Sequence, residues 1–219
     1  MIVGTADVEQ LAQDAPTIAE FLAADIELTD VICYQLTAEM RNSAREPVLP
    51  PSLHPTIPAA LSVQAYRVGG SPWGEFNFVT VRVSCRSGVR ARGFTTAAIV
   101  DNPEACEALR SQLGFPARVG SIHFRSGYDG VELSVVERTG KGSEVPVLEL
   151  IGNDPDPMGP NDIQYTGTLN LAHTPMGLRM VQIETSDRSI NVDRLQTTLR
   201  TFYGSAWGNA LLEPYRVIE

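Results

Sequence analysis

The sequence has almost no lysine. Its 17 basic residues are arginines except for Lys141, in a chain of 219 residues. A Schiff base requires an amine, so only Lys141 or the amino terminus could form one. Lys141 lies in the segment TGKGS, which is typical of an exposed hairpin tip where an ammonium group is solvated and unactivated. The composition therefore leaves little room for imine chemistry.

Positive charge and long apolar runs are also scarce. The net charge is -9 and the sequence pI is about 4.9, so we expect no nucleic-acid partner, because too few cations are available to neutralise phosphates. No run approaches the roughly 18 apolar residues of a membrane span, and the N-terminus lacks a basic leader region. We therefore expect no membrane partner and a cytoplasmic location.

Cysteine is rare and carries no motif. Cys33, Cys85 and Cys106 are widely spaced, without CxxC or a neighbouring histidine pattern, so neither a disulfide framework nor a zinc site is indicated. We expect reduced, buried thiols. The chain contains no phosphate loop, dinucleotide-binding fingerprint or nucleophile elbow. We therefore expect no cofactor and no metal; the acidic segment GNDPDPMGPND lacks calcium-loop spacing and is predicted to be a surface loop.

Alternating apolar and polar residues dominate the chain from residue 61 onward, which predicts an antiparallel sheet. The predicted strands are LSVQAYRV, FNFVTVRVSCR, RARGFTTAAIV, VGSIHFRS, VELSVVERT, VPVLELIG, IQYTGTLNLAHT and LRMVQIETSDR, preceded by a strand around VICYQ. Glycine-rich turns separate several of them. The fold class is therefore α+β, with one domain over residues 1–219 built around a closed or strongly curved sheet.

Three regions are predicted to flank the sheet as helices. Residues 1–28 form an N-terminal extension with one or two short helices, interrupted at Pro16. The segment NPEACEALRSQLG is predicted to be a helix that is capped by Asp101 or Asn102 and ends at Gly114. The segment NVDRLQTTLRTFYG is predicted to be a further helix. The proline-rich stretch from Pro47 to Pro58 is predicted to be an extended connection.

Several of these segments, in this order, resemble the acetoacetate decarboxylase superfamily. They are LPPSLHP, GSPWGEFNFVTVRV, IVDNPEACEALRSQLGFPARVGSIHF and SGYDGVELSVVERTG, and the resemblance covers roughly residues 30 to 150. Its most specific element is Asp101, the helix to Leu113, and the turn Gly114-Phe115-Pro116 that leads into a strand. The resemblance implies a curved antiparallel sheet, or β-cone barrel, with a few flanking helices.

The residues expected to carry the family's chemistry are changed. In the family's decarboxylases the turn reads aromatic-Pro-Lys-Lys, and its first lysine forms the Schiff base; that position here is Ala117, and the second is Arg118. Two acidic residues that the family places opposite the lysine fall at Phe78 and near Gln64. Glu75 could supply a carboxylate if the strand is shifted by a bulge. The resemblance therefore implies that Schiff-base decarboxylation is lost.

Candidate site residues follow from that comparison. Arg118 is the candidate for polarising an enolate or anchoring a carboxylate, although it could instead pair with a surface carboxylate. Glu75 or His123 would move a proton, and His123 faces away from the core if Ile122 and Phe124 face it. The predicted substrate-binding residues are Gln64, Tyr66, Phe76, Phe78, Phe115 and Ala117; for the phenylalanines, plain core packing is an equal alternative.

These observations predict an enzyme of specialised metabolism. It would act on a β-keto, polyketide-like or other carbonyl intermediate by non-covalent acid/base or electrostatic catalysis, through cyclisation, aldol-type addition or dehydration. The alternative is a non-catalytic ligand-binding or scaffolding protein that keeps the fold and its pocket. The expected partners are a small-molecule substrate and, because family members assemble, further copies of the same chain in a homo-oligomer.

Overall fold

The computed structural model describes residues 2–138, 144–159, 166–186, 188 and 191–218. Two sheets make up most of this part of the chain. The large sheet has the strand order β11-β10-β5-β4-β3-β1-β13, with β2 paired to β4 and β6 paired to β5. Its strands are β1 (Thr29–Met40), β2 (His54–Pro55), β3 (Ala60–Gly70), β4 (Phe76–Ser87), β5 (Arg90–Val100), β6 (Ala117–Val119), β10 (Gly167–Thr174), β11 (Gly177–Ile183) and β13 (Pro214–Val217).

The small sheet has the order β12-β9-β8-β7 and is antiparallel throughout. Its strands are β7 (Ser121–Gly127), β8 (Gly130–Arg138), β9 (Glu144–Pro157) and β12 (Asp193–Phe202). The helices are α1 (Val8–Asp14), α2 (Asn42–Arg45), α3 (Pro103–Leu113) and a 3-10 turn at Gly204–Trp207. None of the described helices is long and apolar enough to cross a membrane.

The curved, mostly β architecture confirms the predicted α+β class. The large sheet is mixed rather than purely antiparallel, because β5 pairs in parallel with both β6 and β10. The β5–β6 pair is parallel because α3 follows β5 and returns the chain to the same sheet as β6. The predicted strands of residues 61–100 and the β7, β8 and β9 strands are all present.

The two faces of the large sheet have different surroundings. On β4, Val79, Val81 and Val83 are fully buried in the main apolar core, which includes Leu133 and Leu148 of the small sheet. We call this the packed face. The opposite side, which we call the polar face, carries the alternate residues of the same strands, since successive side chains point to opposite sides.

Helix α3 closes one end of the polar face. Asn102 caps it, because its Oδ1 accepts hydrogen bonds from the backbone N–H groups of Glu104 (2.9 Å) and Ala105 (3.1 Å). Asp101, the other predicted cap, instead accepts from the backbone N–H of Asn77 at 2.7 Å. Gly114 ends the helix with φ of 67°, as predicted, and a Cβ there would lie 2.8 Å from the Cβ of Ala172.

Three sequence predictions are corrected here. The segment NVDRLQTTLRTFYG is the edge strand β12 rather than a helix, and the predicted acidic surface loop is largely the end of β9; its residues 160–162 lie outside the described part. The N-terminal extension contains one short helix, Val8–Asp14, which lies before Pro16. Cys85 and Cys106 are buried as expected, whereas Cys33 is exposed.

Candidate functional site

The predicted aromatic lining does come together, beside α3 and on the polar face. The rings of Tyr66 and Phe78 stack with centroids 5.8 Å apart, and Phe115 meets Phe78 edge-to-face at 5.1 Å. Phe76, Phe78 and Phe115 are each less than 10% exposed, and Ala117 is packed among them. We call Tyr66, Phe76, Phe78, Phe115 and Ala117 the aromatic cluster. Its phenylalanines have the close contacts of a packed core.

Ala117 and Arg118 point in opposite directions, as neighbours on a strand must. Ala117 is 1% exposed in the aromatic cluster. Arg118 leaves the cluster and donates from Nε to Glu137 Oε1 at 2.6 Å; its second amino group contacts the same carboxylate and the carbonyl of Ala206. The pairing with a carboxylate that the sequence left open is therefore the arrangement in the structure.

Glu75 and His123 lie apart from Arg118. Glu75 is exposed just before β4, and its backbone carbonyl accepts a hydrogen bond from Asn102 Nδ2 at 3.1 Å. His123 is exposed on β7, on the side opposite Phe124 and Ile122, which agrees with the expectation from alternation. The three predicted catalytic residues thus occupy three separate elements, and the structure does not assemble them into one constellation. Their roles stay predictions.

Gln64 belongs to a chain of buried hydrogen bonds on the polar face. The Tyr66 hydroxyl donates to Gln64 Oε1 at 2.9 Å, and Gln64 Nε2 donates to Gln35 Oε1 at 2.6 Å. Gln64 is 5% exposed. Because both amides are fixed by neighbours, this chain gives the polar face oriented dipoles next to the aromatic cluster.

The structure adds a cation that sequence reasoning did not place at the site. Arg82 lies on β4, two residues beyond Thr80, and is 2% exposed. Its Nη1 donates to the Thr166 carbonyl at 3.0 Å and to Thr168 Oγ1 at 2.7 Å. Its Nε has no hydrogen-bond partner among the described residues, and no carboxylate of that part of the chain pairs with it.

Two hydroxyls next to Arg82 are, like its Nε, buried without a hydrogen-bond partner among the described residues. Thr80 and Thr95 are each 2% exposed, and neither Oγ1 has a hydrogen-bond partner in the described part of the chain. Thr95 is the direct cross-strand partner of Arg82, at a bulge in the β4 and β5 pairing. Thr80 is the cross-strand partner of Gln64. We call Thr80, Arg82 and Thr95 the donor cluster.

Burial is the main influence on the Arg82 cation. Loss of solvation lowers the pKa of its guanidinium, while Tyr66 on β3 and Cys33 on β1 act in the opposite direction. Gly93 makes room for the side chain: a Cβ at that position would come within 3.2 Å of Arg82 Nε. The arginine therefore lies against β5 because Gly93 has no side chain and because its Nη1 makes two hydrogen bonds.

The sequence contained a weak signal for Arg82. In the run VTVRV, threonine and arginine alternate with valine, which normally indicates a strand with one face in water. Here β4 is a central strand, and Arg82 is buried against Gly93 and the residues Thr166 and Thr168, to which it donates. No group of three or more His, Cys, Asp or Glu side chains suited to a metal occurs among the described residues.

Solved structures share this fold at low sequence identity. An acetoacetate decarboxylase from Legionella pneumophila is similar with a TM-score of 0.68 and 13% identity, over 89% of this chain and 82% of its own. A second acetoacetate decarboxylase structure gives a TM-score of 0.75 and 13% identity, over 90% and 84%. The enduracididine biosynthesis enzyme MppR, solved with pyruvate, gives 0.65 and 18%, over 85% and 80%.

No protein-family model matches the sequence, and no curated protein matches it. The shared architecture extends over most of the chain. The chain therefore has the acetoacetate decarboxylase-like fold, which confirms the fold predicted from the sequence resemblance.

Proposed function

We propose that this protein is a small-molecule enzyme of specialised metabolism that acts on a β-keto, polyketide-like or other carbonyl intermediate without forming an imine. The reaction class is cyclisation, aldol-type addition or dehydration. The observation that carries the proposal is Ala117: a buried methyl group in the aromatic cluster occupies the position that the resemblance assigns to the Schiff-base lysine. The polar groups beside it remain suited to carbonyl chemistry.

The polar face supplies what a non-covalent mechanism needs. Removal of a proton next to a carbonyl places negative charge on the carbonyl oxygen, and fixed donors stabilise that charge best in a site without water. Arg82 and the Gln64 amide are such donors on neighbouring strands, and the Tyr66 hydroxyl orients the amide by donating to its Oε1. The aromatic cluster would hold the carbon skeleton and contribute through orientation.

A similar structure supports the reaction class. MppR has also been solved with the condensation product of pyruvate and imidazole 4-carboxaldehyde, at a TM-score of 0.60 and 18% identity to this chain. That product joins two carbonyl compounds, which is the type of bond formation we propose here. The likeness supports the class of chemistry and leaves the substrate open.

Proton transfer is proposed for Glu75 or His123, and enolate or carboxylate anchoring for Arg118, as the sequence suggests. Among these, Glu75 adjoins the aromatic cluster through Phe76, whereas Arg118 is engaged with Glu137. Alanine replacement of each residue tests its role. A loss of kcat with unchanged folding supports the assignment, and unchanged turnover removes it.

The first test is borohydride trapping with acetoacetate and acetopyruvate, followed by intact mass measurement and an assay for carbon dioxide. The chain makes this test sharp, because Lys141 is its single lysine. We expect no reduced adduct and no gas, together with new carbon–carbon or dehydrated products by NMR when β-keto acids or keto acid and aldehyde pairs are supplied. An adduct that disappears in Lys141→Arg would overturn the non-covalent mechanism.

The alternative is a ligand-binding or scaffolding protein, which would bind the same compounds without converting them. Binding by calorimetry combined with no product after prolonged incubation would favour this alternative. We further propose a homo-oligomer, which light scattering after gel filtration tests directly.

A further inference from the structure

We propose that Thr80, Arg82 and Thr95 form an anion site that holds the carboxylate of a small organic acid. The identification of that acid as a substrate rests on the function proposed above; the anion site itself rests on the geometry of the donor cluster. The pairing with Arg82 would be the main determinant of which carbonyl compounds enter the polar face.

The three residues are neighbours on two adjacent strands. Arg82 and Thr95 are direct partners across β4 and β5, where side chains of a pair lie about 5 Å apart. Thr80 is two residues before Arg82 on the same side of β4. All three are 2% exposed, so water does not satisfy their polar atoms from the surface.

A buried guanidinium without a counter-ion is costly, and proteins normally pair such a charge. Arg82 has only carbonyl and hydroxyl acceptors for Nη1, while its Nε and the Oγ1 atoms of Thr80 and Thr95 have no acceptor or donor among the described residues. Three adjacent unpaired polar atoms, two of them hydroxyls that can donate, complement a ligand that brings acceptor oxygens.

The chemistry of the set favours a carboxylate. A guanidinium has donors and no acceptor, so it excludes metal cations, and its planar edge matches the two oxygens of a carboxylate. One buried positive charge balances a monoanion, whereas a phosphate dianion would leave excess charge in the site. The next residues along the face, Gln64 and Tyr66, then lie beside the remainder of the acid, where its carbonyl group would be placed.

The test measures binding of three probes by calorimetry: pyruvate, acetopyruvate and the neutral diketone pentane-2,4-dione. We expect Arg82→Gln to weaken pyruvate and acetopyruvate about 10- to 100-fold, since a charge-assisted hydrogen bond is removed. The diketone should change less than about twofold. The matched control is Arg125→Gln, which removes the same charge from an exposed ion pair with Glu132 and should leave all three affinities unchanged.

Thr95→Val leaves Arg82 in place and tests the same site through its hydroxyl. We expect it to weaken both acids by roughly tenfold, because one hydroxyl hydrogen bond to an ionised carboxylate is lost. If Arg82→Gln does not fold, Thr95→Val decides, and an unchanged acid affinity in that variant overturns the proposal. Equal acid affinity in Arg82→Gln and wild type, or a loss in Arg118→Gln alone, also overturns it.

The outcomes separate the anion site from the proposed enzyme. Arg82-dependent binding of the acids with no turnover of any carbonyl compound would retain the site and reject the catalytic function. Turnover of neutral ketones, with no measurable acid binding by the wild type, would retain the enzyme and reject the site.

Discussion

The packed face and the polar face of the large sheet are built from the same strands and differ in the polar atoms that they bury. On β4, Val79, Val81 and Val83 alternate with residues of the polar face, and the valines are fully buried against the small sheet. One residue further along the strand, Thr80 and Arg82 are equally buried but have polar atoms without a partner among the described residues. Burial is shared by both faces, and polar satisfaction is what separates them.

This difference indicates how the sheet divides stability from binding. Apolar side chains on the packed face contribute roughly 25 cal/mol for each Å² removed from water. Buried polar atoms without partners oppose folding, so each one requires an explanation. Under the anion-site proposal, the packed face stabilises the chain and the unpaired atoms of the polar face receive a ligand.

The largest expected effect comes from a cavity on the packed side. Leu148 of β9 is fully buried between the sheets, so Leu148→Ala should lower the free energy of unfolding by about 2–5 kcal/mol. Urea unfolding measures the change. A loss below about 1 kcal/mol would contradict the assignment of this core as the main source of stability.

A second prediction tests whether the packed face disfavours a charged group. Burial raises the pKa of Tyr34 to about 12, although its hydroxyl lies 2.6 Å from Thr197 Oγ1. The folded protein thus favours the neutral phenol. The raised pKa stabilises the folded state fully below the ordinary pKa of about 10. This stabilisation, about 3 kcal/mol, is lost as the pH rises from 10 to 12.

The free energy of unfolding should therefore fall less steeply with pH across that alkaline range in Tyr34→Phe than in wild type. Tyr128→Phe is the control, because Tyr128 is 96% exposed and should leave the slope unchanged. Burial also raises the pKa of Cys85 to about 12, so part of the alkaline loss will persist in the Tyr34 variant. Identical slopes in all three proteins would contradict the burial of Tyr34.

A smaller effect concerns the ion pair that joins β6 to the small sheet. Arg118 and Glu137 are partly exposed, with side-chain exposures of 38% and 30%, so their coupling should be about 1 kcal/mol in a double-mutant cycle. The same variants bear on catalysis. If Arg118 also anchors substrate, Arg118→Ala lowers kcat while Glu137→Gln does not; equal effects of both variants would mean that the pair acts only through structure.

The smallest effect has the opposite sign. Thr95→Val replaces an unpaired buried hydroxyl by a methyl group of similar volume, and should raise the free energy of unfolding by up to about 1 kcal/mol. Thermal and urea unfolding measure it. A clear destabilisation would mean that the Thr95 hydroxyl has a partner in the folded protein, and would remove one member of the donor cluster.

Much of the fold could be predicted from the sequence because its signals are local. Alternation marks β3, β4 and β5, and Asn102 and Gly114 mark the ends of α3. The strand β12 was mistaken for a helix because Leu195 and Leu199 satisfy both periods: they are four residues apart, which fits a helix, and they also alternate with polar residues. Pairing with β9 along an edge decides between the two, and that pairing is not local.

The site was less predictable for a physical reason. The aromatic cluster follows from the resemblance, since its members lie on segments that align with the family. The importance of Arg82 depends on its burial and on its unpaired Nε, and both are properties of the assembled sheet. Arg118 attracted attention by its position in the sequence, whereas its partner Glu137 lies on a strand of the other sheet.

A crystal structure of the protein with pyruvate or acetopyruvate is the most direct test of the account. The prediction is a carboxylate within hydrogen-bond distance of Arg82 Nε and of the Thr80 or Thr95 hydroxyl, with the rest of the molecule directed toward Gln64 and Tyr66. A ligand bound at Arg118, with Arg82 left without a ligand, would contradict the account and return the site to the position that the sequence first suggested.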